Sequence, residues 1–168
     1  LVNRPTPTTA TLEAIPSGKA GVIATLKLMS RLAKEGKKTL PIRQTALQLV
    51  NGERQKDWTE EVNRIFEFVR DKIRYVRDVR GVETLQTPEK TLEFGQGDCD
   101  DKSTLLASLL ESIGHPTRFV AIGFKPDHYA HVYVETKIGA NWIGLETTEP
   151  VSMGWSPKGV VSRLVYFN

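Results

Sequence analysis

The tripeptide Gly114-His115-Pro116 divides the sequence into two textures. Before it, apolar residues recur at helical spacing. After it, they lie in short β-prone runs separated by turn signals. Helices first, then consecutive strands with short connections, specify an α+β chain with an antiparallel sheet packed on helices. A doubly wound parallel sheet would need helices and strands to alternate. The 168 residues correspond to one domain, and 39% hydrophobic residues suffice for a real core.

Residues 1–17 carry Pro5, Pro7 and Pro16 and read as an extended arm. A helix is predicted over 18–36 from Val22, Ile23, Leu26, Met29 and Leu32. A second runs from Pro41 to Leu49, and Asn51-Gly52 breaks it. Asp57 caps a third, with Glu60 three residues on and an apolar stripe of Val62, Ile65, Phe66, Val69 and Ile73. Residues 78–94 read as an irregular connection around Pro88. Cys99 opens a further helix with Leu105, Leu106, Leu109, Leu110 and Ile113 inward, which Gly114 and Pro116 end. Strands are predicted over 117–124, 130–136, 142–147 and within 160–167. The organisation is thus an arm (1–17), a helical N-terminal extension (18–56) and a core domain (57–168).

The stretch G-Q-G-D-C-D-D-K-S, residues 95–103, holds the only cysteine. A single cysteine excludes an intrachain disulfide and a cysteine-rich zinc site. Cys99 stands at a helix N-terminus, where unpaired N–H groups favour a thiolate or a developing oxyanion. Asp98, Asp100 and Asp101 suit the helix start but repel a thiolate, so a nucleophilic Cys99 needs a cationic partner such as an imidazolium. Three histidines are available. His115 sits in a helix-to-strand turn and reads as structural or exposed. His128 lies in a turn, and His131 begins H-V-Y-V-E, with Tyr133 and Glu135 on its face of the strand. A rigid strand positions a base better than a turn, although spacing leaves His128 open. The next strand, with Glu146 near its far end, folds back antiparallel. That hairpin brings Glu146, late in one strand, beside His131, early in the other, as an orienter for the imidazole. The aspartates lack both a histidine and D-x-D-x-D spacing, so no metal and no cofactor is expected. Trp142 and Trp155 read as core or cleft-wall residues.

The net charge is +3, and its basic excess lies in the first fifty residues. A solvated helix face is the favoured reading over a surface for acidic partners. Without aromatic interleaving or zinc-finger spacing, nucleic acid is not an expected partner. The apolar runs fall short of the roughly 20 residues of a membrane span. No signal peptide is visible, and location is left open between cytoplasm and virion.

In order, F-V-R-D-K-I-R-Y, P-E-K-T-L-E-F-G-Q-G-D-C-D-D-K-S, L-L-E-S-I-G-H-P-T-R-F-V, H-V-Y-V-E and W-I-G-L-E-T-T cover roughly residues 62–150. This set resembles the transglutaminase-like superfamily of papain-fold cysteine enzymes. The resemblance implies Cys99 as nucleophile, His131 as base and Glu146 as third member, a position usually filled by aspartate. It also implies support from Gln96 at the oxyanion and from Tyr75 near the site. The implied activity is acyl transfer from peptide or amide bonds through a thioester, with hydrolysis favoured over crosslinking. A protein or peptide is the implied partner. The D-C-D-D-K-S stretch is similar to bacterial, phage and prophage-encoded members. That similarity brings in phage structural proteins or cell-wall peptide as partners. It also brings in an alternative, a catalytically weak or inactive module with a structural or binding role, as in a virion.

Overall fold

The structure is a computed structural model that describes residues 18–52, 57–78 and 84–168. The arm expected over 1–17 lies outside the described residues. Helices α1 (Gly18–Gly36), α2 (Leu40–Val50) and α3 (Trp58–Lys72) lead to a short strand β1 (Arg74–Tyr75). Helix α4 (Pro88–Phe94), strand β2 (Gln96–Gly97) and helix α5 (Cys99–Ser112) follow. Four strands complete the chain: β3 (Thr117–Gly123), β4 (His131–Ile138), β5 (Asn141–Leu145) and β6 (Ser162–Phe167).

The expected irregular connection is corrected over Pro88–Phe94, which is helical. Thr87 caps α4 by accepting the Lys90 N–H, Pro88 occupies the first turn, and Gly95 closes it in the left-handed region. Each signal is local. The helix has only seven residues, too few for an apolar period to show. At α3 the Asp57 side chain accepts the Glu60 N–H, while the Glu60 carboxylate turns to Arg64 at 3.5 Å.

The four strands form one antiparallel sheet in the order β5-β4-β3-β6, and β1 and β2 form a separate parallel pair. Alternation along the central strands sends Phe119, Ala121, Val132 and Val134 into the main core. Val120, Ile122 and Tyr133 form a smaller cluster. Helix α5 lies between sheet and helices and is buried on every side. All ten residues from Asp101 to Leu110 are buried, polar ones included. The sequence pattern had suggested one apolar face. The polar residues hidden inside therefore need partners, and they find them. Ser108 donates to the Ala33 carbonyl at 3.2 Å, and Thr104 to the Asp100 carbonyl at 2.7 Å.

Helices α1 and α2 share this core: Leu26, Met29, Ala33, Ile42 and Ala46 are buried with the α5 leucines. Gly36 ends α1 where its backbone meets α4 and α5. A Cβ there would stand 2.7 Å from both the Pro88 Cγ and the Ser108 Oγ.

Candidate active site

Asp98 fixes the start of α5. Its side chain accepts the N–H groups of Asp100 (2.9 Å) and Asp101 (3.0 Å). Asp101 reciprocates toward the Asp98 N–H at 3.3 Å, completing a capping box. The cap leaves the Cys99 N–H, at the first helical position, without an intrahelical acceptor. Asp101 is fully buried and also accepts the Gln86 N–H at 2.8 Å, which ties the segment before α4 to the start of α5. Gly97 makes this closeness possible, since a Cβ on it would lie 2.6 Å from the Asp101 Cβ.

The start of β4 meets this helix end. The β4–β5 ladder ends at Val134↔Leu145, so nothing in β5 pairs with the backbone of Val132. Helix α5 takes over both of its groups. The Val132 N–H reaches the Cys99 thiol, and the Val132 carbonyl accepts from Ser103 Oγ at 3.4 Å. His131 is therefore one residue along the strand from the backbone that contacts Cys99.

On its other side His131 meets Glu146. The His131 Nε2 lies 2.5 Å from the Glu146 Oε2. Glu146 is 1% exposed, and its Oε1 accepts both the Thr148 N–H (2.8 Å) and the Thr148 hydroxyl (2.7 Å). Burial pushes the Glu146 carboxyl up. The hydrogen bonds from His131 and Thr148 and the His131 charge outweigh it, so its pKa falls below the ordinary value. With Nε2 facing the Glu146 carboxylate, Nδ1 is the ring nitrogen left without that partner. Thr148 thus clamps one carboxylate oxygen while the other faces the ring.

Cys99 is partly buried, and its Sγ donates to the Asp100 Oδ1 at 3.5 Å. Burial, then the charges of Asp100 and Asp98, push the thiol well above its usual value, against the Val132 N–H. These influences favour the thiol over the thiolate. Nucleophilicity then requires its proton to leave during attack rather than before it.

The structure distributes the remaining sequence candidates around this centre. Gln96 pairs with Arg74 across β1–β2, and its Oε1 accepts from the Arg74 guanidinium at 2.9 Å. That contact leaves the Gln96 amide N–H₂ as its donor end. Tyr75 is exposed in β1, paired with Gly97. His115 is buried on Glu61 at 2.9 Å, a structural contact. His128 is exposed in the turn after β3, bridged to Lys125. Arg118 lies over the Trp142 ring and Phe167 meets that ring edge-on, at the far end of β5 from Glu146. Trp155 is partly exposed, and its carbonyl would stand 3.0 Å from a Cβ on Gly144 in β5.

Sequence reasoning missed Thr148 and Ser103 as parts of the site's frame, and it placed Asp101 at the helix start without its burial or its bond to Gln86. The E-T-T stretch was a signal for Thr148, since a hydroxyl two residues after a carboxylate can fold back on it. Nothing local marks Lys102 as buried.

A family model for the transglutaminase-like superfamily matches residues 43–147. No curated protein matches the chain. Among solved structures, the chain is similar to a candidate protease from Parabacteroides distasonis with a TM-score of 0.60 and 16% identity. The match covers 74% of this chain and 26% of that one. It is similar to a candidate cysteine protease from Cytophaga hutchinsonii with a TM-score of 0.53 and 17% identity, over 76% of this chain and 46% of that one. It is also similar to LapG of Legionella pneumophila, with a TM-score of 0.51 and 13% identity, over 83% and 87% of the two chains. The chain thus spans 26% of the first structure's length and 46% of the second's. At such identities the likeness is one of fold.

Proposed function

The chain belongs to the transglutaminase-like superfamily, and from that premise we propose that it is a thiol-dependent acyl-transfer enzyme acting on peptide or amide bonds. Cys99 is the nucleophile, His131 the base and Glu146 the residue that positions the base. The observation that carries this reading is the His131 Nε2–Glu146 contact, on the strand whose next residue meets the Cys99 thiol.

Cys99 Sγ attacks the amide carbonyl carbon while its proton passes to His131 Nδ1. The imidazolium is stabilised by the buried Glu146 carboxylate. The oxyanion is received by the free Cys99 N–H, with the Gln96 amide as a second donor. His131 returns the proton to the leaving nitrogen, the C–N bond breaks, and a thioester remains on Cys99. Water, deprotonated by His131, then attacks the thioester and releases the acid. An amine in its place forms a new amide. Hydrolysis is the favoured outcome.

The test is intact-mass detection of an acyl-enzyme during turnover of a fluorogenic peptide-amide library, with and without a primary amine. Mass added at Cys99, and loss of turnover in Cys99→Ala, support the reading. Unchanged turnover in Cys99→Ala overturns it. A second reading, a non-catalytic binding or structural module such as a virion component, draws on the raised thiol and its contact with Asp100. It expects no acyl-enzyme with any member of the library.

A further inference from the structure

Strand β4 carries His131, Tyr133 and Glu135 on one face of the sheet. The acyl-transfer chemistry proposed above uses His131 and leaves Tyr133 without a role. Tyr133 is nonetheless buried, at 5% exposure, in one cluster with Val120 and Ile122, and Val160 and Val165 pack against that cluster. On the β5 side it faces bare backbone. A Cβ on Gly144 would lie 3.7 Å from the Tyr133 Cε2 and 3.0 Å from the Trp155 carbonyl oxygen, in the segment that folds back over β5. Farther along the same face, Glu135 accepts from Arg118 at 2.7 Å and from Arg163 at 2.9 Å. The Tyr133 ring is therefore held on several sides.

This fixed ring lies beside the base. The ring centroids of His131 and Tyr133 are 6.5 Å apart and their planes are 24° from parallel, within the range of aromatic pairing. The last pair of the β4–β5 ladder is Val134↔Leu145, and the next residues on the two strands are Tyr133 and Glu146. Ile122, the cross-strand partner of His131 in β3, belongs to the same cluster as Tyr133. Tyr133 thus stands two residues along the face from His131, where β4 parts from the Glu146 segment.

The His131 ring needs such a neighbour. Its side chain is 21% exposed, and among the described residues the ring makes one hydrogen bond, at Nε2 with Glu146. One hydrogen bond fixes a point on the ring. The torsion about Cβ–Cγ is broad for histidine, so the plane of the ring needs a further contact. We propose that Tyr133 is a positioning residue for the reaction: its ring holds the plane of the His131 imidazole while Glu146 holds Nε2, and together they keep Nδ1 available to Cys99. This rests on the acyl-transfer reading, but the ring contact itself does not require turnover.

The experiment compares wild type, Tyr133→Leu and Tyr133→Phe by 13C relaxation at the His131 Cδ2 and by kcat and KM on a library substrate. In Tyr133→Leu the order parameter of the His131 ring falls. Its kcat falls by roughly 2- to 12-fold, the worth of an aromatic pair, while KM stays within twofold. Tyr133→Phe keeps the ring and restores both readouts. A folded Tyr133→Leu protein with either readout at the wild-type value overturns the proposal, and so does a Tyr133→Phe protein as impaired as Tyr133→Leu. Should Tyr133→Leu not fold, wild type decides. The expected result is a nuclear Overhauser cross-peak between the two rings, with His131 as ordered as buried His115. A missing cross-peak, or a His131 ring as mobile as that of exposed His128, refutes the contact. The NMR measurements need no substrate. A protein that passes them yet turns nothing over would sink the acyl-transfer reading alone. Cys99-dependent turnover that Tyr133→Leu leaves intact would sink the positioning role alone.

Discussion

Replacing Glu146 by aspartate brings the third position to the residue usual in the family, and the geometry predicts a loss of activity. The glutamate spans two fixed points. One oxygen lies 2.5 Å from His131, and the other accepts Thr148 donors at 2.7 and 2.8 Å. Shortening the side chain by one C–C link withdraws the carboxylate by about 1.5 Å. It can then reach the ring or the Thr148 clamp. Reaching both would stretch one contact to about 4 Å, beyond a hydrogen bond. A hydrogen bond to a charged group contributes about 1.5–3 kcal/mol. Lost from the transition state, that is roughly a 10–150-fold fall in kcat/KM. The removed methylene costs about 1 kcal/mol of stability, a Tm shift of only a few °C. The assay is steady-state hydrolysis of a peptide amide by Glu146→Asp, with a Tm measurement alongside. Activity within twofold of wild type would refute the argument that Thr148 and the longer side chain work as a unit.

Three further outcomes follow from the same geometry. Free Cys99 reacts with iodoacetamide at pH 7 more slowly than a free cysteine, because burial and the neighbouring aspartates raise the thiol. Asp100→Asn speeds it several-fold, and an unchanged rate would remove Asp100 from the account. Burial raises the Asp101 carboxyl from 3.8 to about 7. The folded state therefore holds an extra proton in that window, and the stability it contributes is lost as pH rises through it. In urea denaturation, the stability of wild type relative to Asp101→Asn should decline from pH 4.5 to pH 7 and level off by pH 8; a constant difference would contradict the burial argument. Gly97→Ala places a Cβ 2.6 Å from the Asp101 Cβ, so the capping box must shift, at about 1–3 kcal/mol. A Tm equal to wild type would show that the helix start is not held there.

The order of elements was legible in the sequence because its signals are short-ranged. The apolar stripe of α3, the Asp57 cap, and Gly114 before Pro116 each depend on a few neighbouring residues. The same holds for the contact between His131 and Glu146. The antiparallel return of one tight turn brings the two strand ends near each other, although the ladder stops at Val134↔Leu145 and the contact forms beyond it. Helix α4 escaped notice although its cap and closing glycine are local too, because seven residues show no period.

Burial of polar groups belongs to the tertiary structure. The sequence around Lys102 reads as the solvated side of a helix, and only the enclosure of α5 by sheet and helices hides it. The state of Cys99 was decided in the same way. From its neighbours alone, the helix start and the aspartates pull in opposite directions. Packing beneath β4 adds desolvation as the largest influence, and it tips the balance toward the thiol. A helix period or a cap is encoded in covalent neighbours. The dielectric around a charge depends on which distant surfaces close over it, and that is a property of the folded chain as a whole.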